Sequence, residues 1–247
     1  MTFYQPAHIW PLITHGPFQI RRMHPGHGLN IPNDSGLGPL GTVDRAVLSP
    51  GLLVPMHKHV DDEILSYLRS GVLHHRDQTQ GERILNPRNL MLMNAGSGFS
   101  HEEEIPSRTR EKTEMLQIFV RPSEAGLQPM IQFCRLESMA PPETQWRLIA
   151  GPSGSGAPMM LRNEVWVRDR LILSGQDVVL PINHGHSVWL HVFSGSGSLG
   201  GHNLTPGDSV IIEGETHSTY SATQDSVLVA FTLNRYAIVT RRGTISS

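Results

Sequence analysis

The sequence predicts an all-β protein built from two tandem β-barrels of the same type, and two observations support this. From residue 43 onward, short apolar runs are broken by turn residues about every ten positions, which is typical of β-sandwiches and barrels. In addition, residues 85–93 and 204–212 share one pattern, an apolar residue followed by a proline turn and an apolar strand. A pattern that recurs in the same order indicates a duplicated unit.

Five apolar segments of the first half are predicted to be strands. They are residues 43–48, 64–68, 72–76, 90–93 and 115–120. Turns are expected at Ser70-Gly71 and at residues 86–89, where antiparallel neighbours would reverse. The first 40 residues are rich in Pro, Gly, His and Asn and lack a helical period, so we expect loops and short edge strands there.

The strand pattern stops at residues 121–129, and we place the linker between the barrels there, extending to Pro141-Pro142. This interpretation predicts an N-terminal domain of residues 1–125 and a C-terminal domain of residues 126–247. Both halves keep the same order of features, with a His-x-His pair first, then Ser-Gly, the repeated strand, and a later histidine. Two fused copies of one barrel explain that order most simply.

Composition favours a small molecule as the partner. The formal net charge of the 247 residues is -2 and the basic residues are scattered, so no surface typical of nucleic-acid or anionic-membrane binding is indicated. Cys134 is the single cysteine, which favours a reducing compartment and is interpreted as a small buried hydrophobe. With no signal-peptide pattern and no apolar stretch of membrane-spanning length, we expect a cytoplasmic protein.

The candidate metal ligands are His57, His59, His101 and Glu103. Alternate side chains of an extended strand point to one face, so each of the two pairs can present both members to the same side. Three imidazoles and one carboxylate favour a mononuclear site with open positions for a substrate. These donors favour Fe(II), Mn(II), Ni(II) or Cu(II) over a closed structural zinc site.

Several neighbouring residues leave alternatives open. Glu63 either hydrogen-bonds a ligand imidazole and sets its tautomer or is an exposed acid. We interpret His74 and His75 as structural, with one of them lining the cavity as the alternative. Part of the constellation recurs in the second half, but Thr219 stands where a carboxylate would be needed. We therefore expect the C-terminal barrel to lack metal, with a second site as the alternative. The repeated histidines are His184, His186 and His217.

Short antiparallel strands with a Pro-Gly-Asp turn and histidines near a barrel mouth resemble cupin jelly rolls. Three longer motifs resemble the pirin family of bicupins, in particular its shorter bacterial members, over approximately residues 43–120. These motifs are His57-x-His59-x3-Glu63-x3-Tyr67, Gly71-x3-His75-x-Asp77 and Ala95-Gly96-x-Gly98-x2-His101-x-Glu103. Departures from the family pattern are Met56 and Lys58 in place of prolines and Ser97 in place of an arginine.

The resemblance implies one metal ion, usually iron, held in the N-terminal barrel by the four candidate ligands. Some members of that family oxidatively cleave the flavonol quercetin, and another is a nuclear transcriptional co-regulator. The leading hypothesis is an Fe(II)-dependent dioxygenase of the quercetinase type acting on a flavonol-like small molecule, with Glu103 serving as ligand and general base. The alternative is an iron-containing, redox-sensing regulatory protein that acts through protein partners without turnover. A cupin isomerase or storage barrel is a third reading, favoured if the metal is zinc.

Overall fold

The computed structural model describes residues 1–246 and contains, within that range, 22 β-strands and one 3₁₀ turn at Ala7–Ile9. The chain divides into two compact units. The N-terminal barrel consists of residues 10–24, 40–139 and 238–246. The C-terminal barrel consists of residues 1–9, 25–39 and 140–237.

The N-terminal barrel has two facing sheets, of seven and four strands. Its strands are β2 (Leu12–His15), β3 (Phe18–Met23), β4 (Leu40–Leu48), β5 (Leu53–His59), β6 (Glu63–Ser70), β7 (Leu73–Asp77), β8 (Gly81–Leu85), β9 (Asn89–Asn94), β10 (Phe99–Glu104), β11 (Thr113–Val120) and β12 (Met130–Arg135). The larger sheet has the order β12-β9-β6-β11-β4-β3-β2, and the smaller one β5-β10-β7-β8.

The C-terminal barrel repeats this plan. Its strands are β1 (Thr2–Gln5), β13 (Arg147–Pro152), β14 (Met159–Leu161), β15 (Val165–Ile172), β16 (Asp177–Val179), β17 (Ser187–Ser194), β18 (Gly197–Leu199), β19 (His202–Leu204), β20 (Ser209–Ile212), β21 (Thr219–Ala222) and β22 (Ser226–Leu233). The seven-stranded sheet has the order β1-β20-β17-β22-β15-β13-β14, and the four-stranded sheet β16-β21-β18-β19.

The two strand orders confirm the predicted duplication. Strands β9 and β20, which are the apolar strands of the two repeated segments, take the same second place in their sheets. The five predicted strands are also confirmed, by β4, β6, β7, β9 and β11, with Val72 lying just before β7. Gly71 makes the predicted turn after β6 with a φ of 73°, which favours glycine.

The two compact units do not follow the predicted single boundary between residues 125 and 126, because each unit contains several separate segments of the chain. Strand β12 lies inside the predicted linker, yet it pairs antiparallel with β9 at the edge of the N-terminal barrel. Likewise β1 pairs with β20 of the C-terminal barrel. Both are short edge strands whose place depends on a distant partner, so local sequence patterns do not assign them to a barrel.

Each barrel encloses its own apolar core. In the N-terminal barrel, residues from both sheets form one cluster, which includes Ile64, Met93, Phe99 and Phe119. On β10 the burial alternates strictly, and Phe99, His101 and Glu103 point inward. Polar side chains that are expensive to bury thus share a face with core residues, which marks a functional site. Within the described residues, no helix has the length and apolar character needed to cross a membrane.

Candidate metal centre

Three of the predicted ligands meet inside the N-terminal barrel. Strands β5 and β10 are antiparallel neighbours, and His101 lies directly across from His57. The Nε2 atom of His57 is 3.0 Å from Nε2 of His59 and 3.1 Å from Nε2 of His101. The structure therefore gathers the three imidazoles into a cluster whose geometry could hold a metal ion.

The opposite ring nitrogens of His57 and His59 face hydrogen-bond acceptors. Nδ1 of His57 lies 2.9 Å from the carbonyl oxygen of Pro55, and Nδ1 of His59 lies 3.3 Å from Oδ2 of Asp62. A carbonyl or carboxylate oxygen can only accept, so both Nδ1 atoms carry the hydrogen. In a neutral ring this leaves the lone pair on Nε2.

His101 is held in the same tautomer through a second histidine. Nε2 of His75 donates to Oδ2 of Asp77 at 2.9 Å, which leaves the lone pair of a neutral His75 on Nδ1. That Nδ1 lies 3.4 Å from Nδ1 of His101, which is therefore placed to donate to it. The Nε2 lone pair of His101 is then free, as in the other two rings.

Three Nε2 lone pairs consequently face one another without an intervening hydrogen. Such an arrangement is repulsive unless a cation lies between the nitrogens. Two neighbouring ligands about 2.1 Å from one octahedral ion are separated by about 3.0 Å, which agrees with the measured separations. The donor set and its spacing therefore fit a transition metal.

Burial keeps His57 and His101 neutral. It lowers the pKa of His101 to about 2, and the neighbouring imidazoles of His57 and His59 add to the effect. Burial also lowers the pKa of His57. Since metal binding requires an unprotonated imidazole, these two ligands do not have to lose a proton to bind metal at neutral pH.

Glu103 lies beside the histidines but on the Nδ1 side of His101. Its buried Oε1 is 3.8 Å from that nitrogen and has no hydrogen-bond partner among the described residues. Burial raises the pKa of Glu103 to about 7, against the opposing influence of His59 and of a hydrogen bond from Gln117. With His75 and His101 it belongs to a second, overlapping cluster that could hold a metal. Its role as fourth ligand remains a prediction.

Some neighbours differ from their interpretation in the sequence. His75, interpreted as structural, is fully buried against His101, and Glu63 is fully buried rather than exposed. Glu63 accepts a hydrogen bond from Asn94 at 2.9 Å, and the Asp62 carboxylate contacts the candidate ligand His59. The His75-x-Asp77 spacing on a predicted strand places both side chains on one face, a signal that could have identified the pair.

Asp62 is oriented by the end of the described chain. Asp61 takes a left-handed conformation with φ of 50° and turns the backbone after β5. Asp62 then accepts hydrogen bonds from the backbone N–H of Ser246 at 3.0 Å, its hydroxyl at 2.6 Å, and the N–H of Ile245 at 3.1 Å. The Asp62 side chain is fully buried. One carboxylate, shielded from water, therefore contacts His59 and accepts the hydrogen bonds from residues 245 and 246.

We expect Asp62→Ala to lower the free energy of unfolding by roughly 3 kcal/mol, because it leaves several buried donors without an acceptor. Equilibrium urea unfolding of the metal-free protein measures this loss. Asp177→Ala is the matched control, since Asp177 is exposed, and its effect should stay within about 0.5 kcal/mol. Equal effects of the two substitutions would contradict the role given to Asp62.

The histidines of the second half lie in different positions from those of the first. His57 and His59 are on β5, whereas His184 and His186 fall in the loop after β16, the equivalent strand. His186 Nδ1 donates to the carbonyl oxygen of His184 at 3.0 Å, and His217 Nε2 is 3.3 Å from the hydroxyl of Thr219. No described cluster of potential metal ligands includes them.

Comparison with known proteins identifies the family. The family model named Pirin matches residues 37–120, and the model described as "Quercetinase C-terminal cupin domain" matches residues 148–233. The chain belongs to the pirin family. The pirin match contains all four predicted ligands, and the two models together correspond to the two barrels of a bicupin.

Similar proteins match most of the chain. A protein named quercetin 2,3-dioxygenase from Escherichia coli (strain K12) is 25% identical over 202 residues, which cover 82% of this chain and 85% of the relative. The crystal structure of YhhW from Escherichia coli superposes with a TM-score of 0.83 at 24% identity, covering 94% of this chain and 97% of YhhW. A structure of bacterial pirin YhhW in complex with nickel(II) gives a TM-score of 0.79 at 22% identity, covering 94% and 99%.

Proposed function

We propose that the N-terminal barrel holds one divalent metal ion, Fe(II), and that the protein is a dioxygenase of the quercetinase type acting on a flavonol-like small molecule. The proposed ligands are Nε2 of His57, His59 and His101, with a carboxylate oxygen of Glu103. The observation that carries this proposal is the set of three facing Nε2 lone pairs at 3.0 and 3.1 Å.

A bound ion of this kind supplies Lewis-acid activation of a substrate hydroxyl and, when it is redox-active, access to dioxygen chemistry. The protein supplies orientation and proton transfer. Glu103, whose pKa burial raises to about 7, is poised to accept the hydroxyl proton of an enediol-like substrate near neutral pH. The Gln117 hydrogen bond holds the Glu103 carboxylate in place while Oε1 stays free to take that proton.

The site has an apolar inner side and a more open outer side. The ring of Phe119 lies 6.4 Å from the His59 ring and belongs to the apolar core, so the inner side of the site is water-poor. His57 is only half-buried and marks the more open side of the site. The names of pirin-family relatives support a small-molecule oxidation. The single cysteine is consistent with the cytoplasmic location we propose.

Oxygen uptake tests this function directly. Purified protein is first analysed for bound metal, then stripped and reloaded with Fe(II), Mn(II), Ni(II), Cu(II) or Zn(II). We expect the Fe(II)-loaded protein to consume O2 with quercetin or a related 3-hydroxyflavone, and the zinc-loaded protein to be inactive. A flavone that lacks the 3-hydroxyl is the matched control substrate. No O2 uptake with any metal across a panel of flavonols would reject the dioxygenase proposal.

A further inference from the structure

Behind the three candidate ligands lies a buried pair, His75 and Asp77, that the proposed reaction does not use. Both side chains are almost completely buried, and they lie on β7 beside β10. Through His75 the pair contacts His101, which belongs to both potential metal clusters. An ion could therefore be bound either at the Nε2 side of His101 or between His75, His101 and Glu103.

We propose that His75 and Asp77 are a positioning pair that keeps the hydrogen of His101 on Nδ1, so that metal binds at the Nε2 side together with His57 and His59. This inference rests on the proposed metal site. His75 is then a partner of a ligand and is not itself a ligand. Its neutral ring connects the Asp77 carboxylate to His101 through two hydrogen bonds, so the orientation of the carboxylate determines which nitrogen of His101 carries the hydrogen.

The orientation of Asp77 is itself fixed. Its Oδ1 accepts from the backbone N–H and the hydroxyl of Thr79, each at 2.6 Å, and from the N–H of Gln80 at 2.8 Å. Those three donors leave Oδ2 to face Nε2 of His75. Because a carboxylate can only accept, the hydrogen of His75 must lie on Nε2, and its Nδ1 must accept from His101.

This arrangement has a functional consequence for His101. An isolated imidazole exchanges between two neutral tautomers, and the one with hydrogen on Nε2 would direct that hydrogen at His57, 3.1 Å away. If His101 already carries its hydrogen on Nδ1 in the metal-free protein, metal binding does not include the free-energy cost of changing its tautomer. Partners of this type contribute about 10- to 100-fold to metal affinity.

Asp77→Asn tests the inference because it reverses one hydrogen bond. Oδ1 of the asparagine can still accept from Thr79 and Gln80, while its Nδ2 replaces Oδ2 and donates to His75. His75 then carries its hydrogen on Nδ1 and donates to Nδ1 of His101, which moves the hydrogen of His101 to Nε2. The matched control is His74→Gln, because His74 is the neighbouring residue on β7, where it contacts Glu82.

Two readouts separate this inference from the proposed function. Nitrogen-15 NMR of the metal-free protein should show the Nδ1–H tautomer of His101 in the wild type and in His74→Gln, and the Nε2–H tautomer in Asp77→Asn. Cobalt(II) titration should show about 10- to 100-fold weaker binding by Asp77→Asn, with an unchanged absorption spectrum of the bound ion.

The inference is overturned by any of three results. They are an Nε2–H tautomer of His101 in the metal-free wild type, cobalt affinity of Asp77→Asn within twofold of wild type, or a cobalt spectrum in His75→Gln that shows a lost nitrogen ligand. The last result would assign the metal to the cluster of His75, His101 and Glu103. If the wild type binds no metal at all, the proposed function fails, while the tautomer in the metal-free protein still decides whether the pair acts on His101. If a variant does not fold, the NMR spectrum of the metal-free wild type still decides whether His101 carries its hydrogen on Nδ1.

Discussion

His101→Ala is expected to abolish stoichiometric metal binding, with affinity falling by more than about 100-fold. The substitution removes the Nε2 that lies 3.1 Å from His57, as well as the ring through which His75 contacts the site. Changes behind the ligands cost 10- to 100-fold, so the loss of a ligand should cost more. Turnover should fall to the rate of the metal-free protein. Isothermal titration calorimetry with Ni(II) measures the loss of affinity, and O2 uptake by the Fe(II)-loaded protein measures the loss of turnover.

The control for His101→Ala is His74→Ala. His74 adjoins His75 on β7, but it bonds to Glu82 and lies outside both clusters of potential ligands. It should keep wild-type affinity and rate. Circular dichroism of both metal-free variants shows whether the barrel is intact. Full metal occupancy or full turnover in a folded His101→Ala variant would show that the metal is not bound by this cluster of histidines.

Glu103→Gln should stabilise the metal-free protein at alkaline pH while it impairs the metal-dependent activity. The pKa of Glu103 is raised from 4.5 to about 7 by burial, so the folded state disfavours the carboxylate. Wild-type stability therefore falls as pH rises from about 4.5 to about 7, and the loss is complete above that range. At about 1.4 kcal/mol per pKa unit, the neutral variant gains roughly 3 kcal/mol at pH 8 and little at pH 4.5.

Urea unfolding in the presence of a chelator, from pH 4.5 to pH 8, measures this difference. Turnover of the Fe(II)-loaded variant should fall about 100-fold or more if Glu103 accepts the substrate proton. The control is Glu102→Gln, on the outward face of the same strand, where Glu102 pairs with Arg76. A pH-independent difference between Glu103→Gln and wild type would show that the pKa of Glu103 is not raised in the folded protein.

The histidine cluster could be predicted from sequence because it depends on a period of two. His57 and His59 share one face of a strand, and so do His101 and Glu103, whichever strands become neighbours. The duplication was also visible, since it repeats a local pattern of proline turn and apolar strand. Both features can be predicted without knowing which strands are neighbours in the fold.

The residues that sequence analysis missed depend on distant contacts. Asp62 contacts His59 and is held by Ile245 and Ser246, about 184 residues away, and no local pattern encodes that pairing. His75 became part of the site through the pairing of β7 with β10, where Glu103 lies across from His75. The places of β1 and β12 have the same origin, because the edge of each sheet is completed by a segment from elsewhere in the chain.

The hydrogen bonds from residues 245 and 246 to Asp62 have a consequence for biosynthesis. A ribosome releases the N-terminal half first, and domains generally fold in that order. Here, however, the carboxylate that orients His59 has its full set of partners only after residue 246 has left the exit tunnel. Most of the N-terminal barrel is therefore synthesised early, but its candidate metal site is complete only after residue 246 has been translated.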